Sequence, residues 1–206
     1  MSPRVFLVDD QSAVLKALSR LLRAAGFEVA PFDSALAFLD SGESDGAGCL
    51  VLDLAMPDMD GMALQQALAA RASLLPVIFL TGHGDIATGV QAMKSGAFDF
   101  LTKPVDDEQL IGAVVEAIER NRQRRDQRAQ RGEIEARLAS LTPREREVMH
   151  LLVEGKLNKQ VAGELGTVEK TIKVHRAHVM AKMQVRSLTA LVRLVDLVNP
   201  PAPGAR

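Results

Sequence analysis

Four short, strongly apolar runs mark the first half of this chain, and each ends on a polar residue. Val5-Phe6-Leu7-Val8 leads into Asp9-Asp10, Cys49-Leu50-Val51-Leu52 into Asp53, Val77-Ile78-Phe79-Leu80 into Thr81, and Phe98-Asp99-Phe100-Leu101-Thr102 into Lys103. Runs of this length, rich in β-branched and aromatic residues and separated by stretches of helical length, predict parallel strands buried on both faces. In an open α/β sheet the carboxyl ends of the strands line the crevice where ligands bind. Asp9, Asp10, Asp53, Thr81 and Lys103 are therefore expected to converge on one edge.

Gathering three carboxylates is costly, because two unit charges about 4 Å apart repel by roughly 4 kcal/mol at an effective dielectric near 20. Lys103 supplies one compensating charge. A hard divalent cation with oxygen ligands suits the remainder, and Mg2+ fits best because it takes few carboxylates and keeps several waters. A carboxylate beside Mg2+, faced by a lysine and a hydroxyl, is equipped to accept a phosphoryl group. The cation and Lys103 neutralise the phosphoryl oxygens, and Thr81 donates a hydrogen bond to one of them. Gly82-His83-Gly84 lacks the spacing of a dinucleotide fingerprint, so no nucleotide cofactor is expected. Cys49, inside an apolar run, reads as a small core hydrophobe.

Asp9-Asp10, Asp53, the turn Met56-Pro57-Asp58-Met59-Asp60-Gly61, Thr81-Gly82 and Lys103-Pro104 together resemble the receiver domain of two-component response regulators. The resemblance implies a flavodoxin-like α/β fold with a five-stranded parallel sheet in the order 2-1-3-4-5. It implies that Asp53 is the phosphoacceptor, that Asp10 and the backbone carbonyl of Ala55 join it as Mg2+ ligands, and that Asp9 supports the metal from behind. Thr81 and Phe100 take the switch positions; Phe100 is not a tyrosine, so switching must work without a phenolic hydroxyl. Ala55 and His83 flank the path of an attacking water, which His83 either orders or obstructs. The phosphoryl group would come from a sensor histidine kinase, or from a small acyl-phosphate or phosphoramidate donor. Receivers of this type resemble ones that form homodimers on phosphorylation through the fourth helix, fifth strand and fifth helix.

The 206 residues suffice for two compact domains, and charge divides the chain accordingly. Residues 1–119 carry 7 Lys and Arg against 17 Asp and Glu, whereas residues 120–206 carry 18 against 9. An acidic front and a basic back suggest different partners, the second a polyanion. The absence of Trp and Tyr removes the stacking platforms that single-strand nucleic-acid binders need. One cysteine excludes an internal disulfide and a multi-Cys metal site. With no apolar run near the roughly 20 residues of a membrane span and no signal pattern, no membrane partner and a cytoplasmic location are expected.

From Asp106 the positions Leu110, Ile111, Val114, Val115 and Ile118 follow helical spacing, and the pattern runs without break into an arginine-rich stretch from Arg120 to Arg131. Gly132 leaves two readings of residues 120–139: a continuous helix acting as a semi-rigid spacer, or a flexible charged linker. Thr142 as N-cap, Pro143 at the first helical position and Glu145 three residues after the cap form a capping box. That helix is expected to bury Val148, Leu151 and Leu152. A short helix follows from Asn158 to Gly166, and a third from about Val168 to Met183 aligns Val168, Ile172, Val179 and Met183 on one stripe. Its other side carries Lys170, Lys173, Val174 and Ala177. Two helices joined by a tight turn, the second with a basic face, predict a helix-turn-helix whose recognition helix enters the major groove.

Leu141-Thr142-Pro143-Arg144-Glu145-Arg146-Glu147-Val148, Gly155-Lys156-Leu157-Asn158-Lys159-Gln160-Val161-Ala162 and Lys170-Thr171-Ile172-Lys173-Val174-His175-Arg176 resemble the LuxR-type domain of FixJ/NarL-class regulators. The pattern departs at Thr167-Val168, where Thr167 is expected to take over the cap of the recognition helix. Lys173 and Val174 are assigned to base edges, and Lys170, Thr171 and Arg176 to phosphates of double-stranded DNA. The last helix, Ser187 to Val198, is expected to expose Leu188, Leu191, Val192 and Val195, one face packing on the domain and another pairing two copies. The expected organisation is a receiver over 1–119, a helical linker over 120–139, an all-α four-helix DNA-binding domain over 140–199 and a disordered tail over 200–206. The function implied is a transcription regulator switched by phosphorylation of Asp53, with RNA polymerase as a further partner. The alternative is a constitutive DNA binder whose receiver is a docking module. An enzymatic reading fails: an Asp-nucleophile phosphohydrolase needs a second Asp two residues after the nucleophile as general acid, and Ala55 stands there.

Overall fold

The computed structural model describes residues 3–82 and 86–198, so the expectations for His83 and for a disordered tail at 200–206 lie outside the described residues. Five strands, β1 (Arg4–Val8), β2 (Glu28–Phe32), β3 (Gly48–Leu52), β4 (Val77–Thr81) and β5 (Asp99–Thr102), form one parallel sheet in the order β2-β1-β3-β4-β5. β1, β3 and β4 are buried almost throughout, as near-continuous apolar runs require. No apolar run marks β2, the edge strand Glu28-Val29-Ala30-Pro31-Phe32. Proline is tolerated there because the outer edge needs no ladder donor.

Strand periodicity splits the core in two. Phe6, Val8, Leu50, Leu52, Val77 and Phe79 face α2 (Ala35–Asp40), α3 (Gly61–Ala70) and α4 (Ile86–Lys94). Val5, Leu7, Cys49, Val51, Ile78 and Leu80 face α1 (Ser12–Ala24) and α5 (Asp107–Ala139) on the opposite side. Each fully buried side chain of this kind contributes about 1.5–3 kcal/mol, so both faces must be covered for the sheet to persist.

A single helix runs from Asp107 to Ala139 with Gly132 inside it. Packing divides the chain into a unit ending at Asp126 and one beginning at Gln127. Asn121, within the stretch expected to be linker, is a buried member of the first unit.

The second unit contains α6 (Pro143–Val153), α7 (Asn158–Glu164), α8 (Glu169–Lys182) and α9 (Leu188–Val198). Val148, Leu152, Val161, Ala162 and Ile172 form one part of its core, and Leu141, Met149, Val179, Met183, Leu191 and Val195 the other. Three expectations are corrected here. Leu191 and Val195 are buried rather than presented to a second copy, and Leu197 is the large exposed apolar residue of α9. Val168 is 65% exposed, because it is the N-cap of α8 and precedes the first turn that would have aligned it with Ile172. Thr167 is not the cap, and the Val168 side chain makes no cap hydrogen bond.

The capping box at α6 is present, with the Glu145 backbone N–H donating to Thr142 Oγ1 at 3.3 Å and the Thr142 N–H donating to Glu145 Oε2 at 2.8 Å. Lys182, at the end of α8, donates to the same Glu145 oxygen at 2.6 Å and to the Ser140 carbonyl at 3.1 Å. The Lys182 bond and the Thr142 N–H hold the Glu145 carboxyl well below its ordinary value of 4.5, at about 2. A depressed pKa stabilises the fold fully above the unfolded value, and the contribution is lost as pH falls through 4.5 toward about 2. Thr142→Ala is expected to cost about 1 kcal/mol of stability at neutral pH. In thermal unfolding of the full chain, Glu145→Gln should lower the melting temperature at pH 7 and leave a smaller deficit near pH 3; a deficit independent of pH would show that the carboxylate charge is not what matters.

Candidate carboxylate site and nucleic-acid interface

The sheet ladder itself places the site. Asp9 N–H donates to the carbonyl of Phe32, Asp53 N–H to that of Val8, and Lys103 N–H to that of Thr81, at 3.2, 2.8 and 2.7 Å. Each residue just past a strand end is thereby locked to the last residue of the neighbouring strand. The Lys103 ammonium then bridges the two buried carboxylates, donating to Asp9 Oδ2 at 2.6 Å and Asp53 Oδ1 at 2.8 Å. Asp9 and Asp53 are 4% and 5% exposed, so these bonds operate largely away from solvent screening. Partial burial pulls the lysine pKa down, but the hydrogen bonds and charges of Asp53 and Asp9 outweigh it and hold the ammonium above its ordinary value.

The remaining oxygens are held by backbone. Asp53 Oδ2 accepts the Ala55 N–H at 3.1 Å, and Asp9 Oδ1 accepts the Gln11 N–H at 2.8 Å. α3 starts close by: Asp60 caps it through the Ala63 N–H at 2.7 Å, and Gly61 N–H donates to the Leu54 carbonyl at 2.9 Å. A side chain at position 61 would bring its Cβ to 2.5 Å from the Asp53 carbonyl oxygen, so glycine is what lets this helix approach. Thr81 is buried at the end of β4, beside β3. Phe100 is half-buried, its ring centroid 6.3 Å from that of Phe79, and a Cβ at Gly89 would stand 3.3 Å from its ring. The Lys103–Pro104 peptide is cis.

Of the three carboxylates expected to converge, Asp9 and Asp53 share Lys103, while Asp10 is exposed. Among the described residues no three His, Cys, Asp or Glu side chains form a group able to cage a metal. Among the described residues, the donors at this edge are carboxylate and carbonyl oxygens, with no imidazole or thiolate. Such a set fits a hard cation that takes one or two carboxylates and keeps its waters, and does not fit a softer ion.

On α8, Lys170, Lys173 and Val174 are exposed, and Thr171 and Arg176 are half-buried. Lys173 pairs with Glu169 one turn back at 3.1 Å, an exposed contact of little energetic weight. Val174, 50% exposed, is an apolar residue on the outward side of the helix, away from both parts of the unit's core. The Arg176 guanidinium leans on Asn158 Oδ1 of α7 at 3.4 Å. The Arg176–Asn158 contact has no sequence signal, since the two residues lie 18 positions apart. His175 is half-buried and its Nδ1 has no hydrogen-bond partner.

Residues 5–115 match the response regulator receiver domain family, and residues 139–195 match the bacterial regulatory proteins of the luxR family. The chain is 46% identical to Nodulation protein W of Bradyrhizobium diazoefficiens over 195 residues, 95% of this chain and 86% of that one. It is 44% identical to the transcriptional regulatory protein FixJ of the same organism, with 92% of this chain and 93% of that one covered. Among solved structures, the response regulator StyR superposes with a TM-score of 0.87 at 46% identity, covering 95% of this chain and 99% of that one.

Removing the bridging ammonium isolates its role. Lys103→Met leaves the buried Asp9 and Asp53 carboxylates without their shared ammonium, so the melting temperature of the first unit is expected to fall at pH 7. Millimolar Mg2+ should stabilise this variant more than the parent chain. A loss that Mg2+ offsets no more than in the parent would assign Lys103 to packing alone.

Proposed function

The chain belongs to the two-component response regulators that join a receiver domain to a LuxR-type DNA-binding domain, and from that premise we propose that it is a transcription regulator switched by phosphorylation of Asp53. The observation that carries the reading is the Asp9–Lys103–Asp53 bridge at the carboxyl edge of the sheet, with Thr81 on the neighbouring strand. An Asp53 carboxylate oxygen bonds to phosphorus as the donor's P–N or P–O bond breaks, giving an acyl phosphate. The donor is a sensor histidine kinase or a small acyl phosphate or phosphoramidate. Lys103 faces the phosphoryl oxygens, and the Thr81 hydroxyl donates to one of them.

Asp10 and Asp53, with the Ala55 carbonyl, would hold Mg2+, and Asp9 would support it from behind; the ion when bound neutralises charge on the phosphoryl group. Phosphorylation replaces the single negative charge of the Asp53 carboxylate with a phosphoryl group of roughly −1.5 to −2, whose oxygens draw Thr81 and Lys103 toward them and shift the packing of Phe100 against Phe79 and Gly89. Val90 and Met93 of α4 and Val115 of α5 are exposed apolar residues, which supports homodimer formation through this face. The paired DNA-binding units then contact two half-sites in double-stranded DNA. Lys173 and Val174 reach base edges, while Lys170, Thr171 and Arg176 contact phosphates; RNA polymerase is the downstream partner. No enzymatic activity is assigned beyond the receiver's own phosphorylation and dephosphorylation. Among the described residues no helix is long and apolar enough to cross a membrane.

Incubation with a small acyl phosphate and Mg2+ is expected to label the parent chain once and Asp53→Asn not at all, as read by intact mass. Labelling should also stop when Mg2+ is chelated. Full labelling of Asp53→Asn would move the acceptor elsewhere, and an unlabelled parent chain that binds DNA unaided would favour the constitutive reading.

On DNA, Lys173→Ala is expected to lose about 1–3 kcal/mol of specific affinity while barely affecting random sequence. Arg176→Ala should weaken all duplexes alike and lower the salt slope by about 1. Equal losses on specific and random DNA for Lys173→Ala, measured by fluorescence anisotropy, would place that residue on phosphate.

A further inference from the structure

At the edge of the sheet opposite the carboxylates, one buried amide joins three elements. Asn121 of α5 is 1% exposed. Its Oδ1 accepts the N–H of Gly48, the first residue of β3, at 3.1 Å, and its Nδ2 donates to the carbonyl of Leu74, just before β4, at 2.8 Å. One helical turn further on, the Arg125 guanidinium donates to the carbonyls of Asp45 and Gly46 at 2.6 and 3.2 Å. α5 therefore grips the segments that lead into β3 and β4. The starting point of β3 is constrained on its other side too, since a Cβ at Gly48 would lie 1.8 Å from the Arg4 carbonyl oxygen.

Packing alone does not call for an amide here. The same helix meets the sheet with Leu110, Val114 and Ala117, and burying a side-chain amide is unfavourable unless both its ends are bonded. What distinguishes the two strands held by Asn121 is their other ends: β3 runs directly into Asp53, and β4 ends on Thr81. A five-residue strand is a stiff element about 17 Å long, so displacement at one end is carried to the other.

We propose that Asn121 is a positioning residue that couples the Asp53–Thr81 edge to α5. By holding the starting points of β3 and β4 to one helix, it converts a displacement of one strand against the other into a displacement of α5, which continues to Ala139. The inference rests on the phosphorylation reading above. When Thr81 is drawn to phosphorylated Asp53, β4 shifts against β3, and the amide bonded to both strands passes the shift to the helix that leads out of the receiver. Arg125 adds a second hold on the β3 side.

The test uses the full chain, a small acyl phosphate with Mg2+, and a duplex selected from a random pool by the phosphorylated parent protein. The parent should gain about tenfold or more in affinity on phosphorylation, within the usual range of coupling between sites. Asn121→Leu keeps the apolar bulk and loses both hydrogen bonds. It is expected to take up label at Asp53 to the parent's stoichiometry and to bind the duplex equally when unphosphorylated, yet to gain less than about twofold. Amide exchange in residues 120–131 should change on phosphorylation in the parent and not in the variant. Should the leucine variant fail to fold, Asn121→Ala carries the same expected and contrary outcomes. A folded variant that keeps the parent's gain overturns the coupling while leaving Asp53 as the switch; a parent chain with no label or no gain overturns the phosphorylation reading and the coupling together.

Discussion

The interaction on which the receiver depends is the Lys103 ammonium held between Asp9 and Asp53. A parallel sheet brings the ends of its strands to one edge, and in this chain those ends carry like charges. One lysine resolves the conflict, and its raised pKa keeps it charged throughout the neutral range. Without such a partner the two buried like charges would repel each other across the edge. Under the proposed phosphorylation of Asp53, the phosphoryl group would compete for the ammonium that the two carboxylates share.

The second unit uses a related device for a different end. Glu145 is a buried carboxylate that closes the α6 capping box and receives Lys182 from the end of α8. It fixes the recognition helix at its carboxyl end, while Val168 leaves the amino end without a side-chain cap. The outward face of α8 then carries Lys170, Lys173 and Val174 with no demand on them from the core. In both units a lysine bonded to a buried carboxylate fixes how neighbouring elements meet.

Several elements were legible because the pattern that encodes them is local. β1, β3 and β4 are continuous apolar runs, and the capping box at Thr142 and Glu145 lies within four residues. β2 was not, since an edge strand with Pro31 and an alternating burial pattern presents no run. The stripe drawn through Val168, Ile172, Val179 and Met183 failed at its first member because spacing does not reveal where a helix begins. Likewise Leu191 and Val195 read as surplus apolar surface on α9 until the helices that cover them are placed.

At the site, the sequence by itself determined that Asp9, Asp10, Asp53 and Lys103 stand past the strand ends, since strand termination is a local property of the apolar runs; Thr81, expected there too, is the last residue of β4. It also determined the acidic and basic halves and the outward residues of the recognition helix. Only the tertiary structure decided that Lys103 joins Asp9 to Asp53 while Asp10 faces solvent, and that Arg176 rests on Asn158. It alone placed Asn121, which sits in a polar, arginine-rich stretch, within a buried bridge to Gly48 and Leu74. These are hydrogen bonds between residues 18 to 94 positions apart, and no periodicity records such a distance; the sheet order and the helix packing bring their partners within reach.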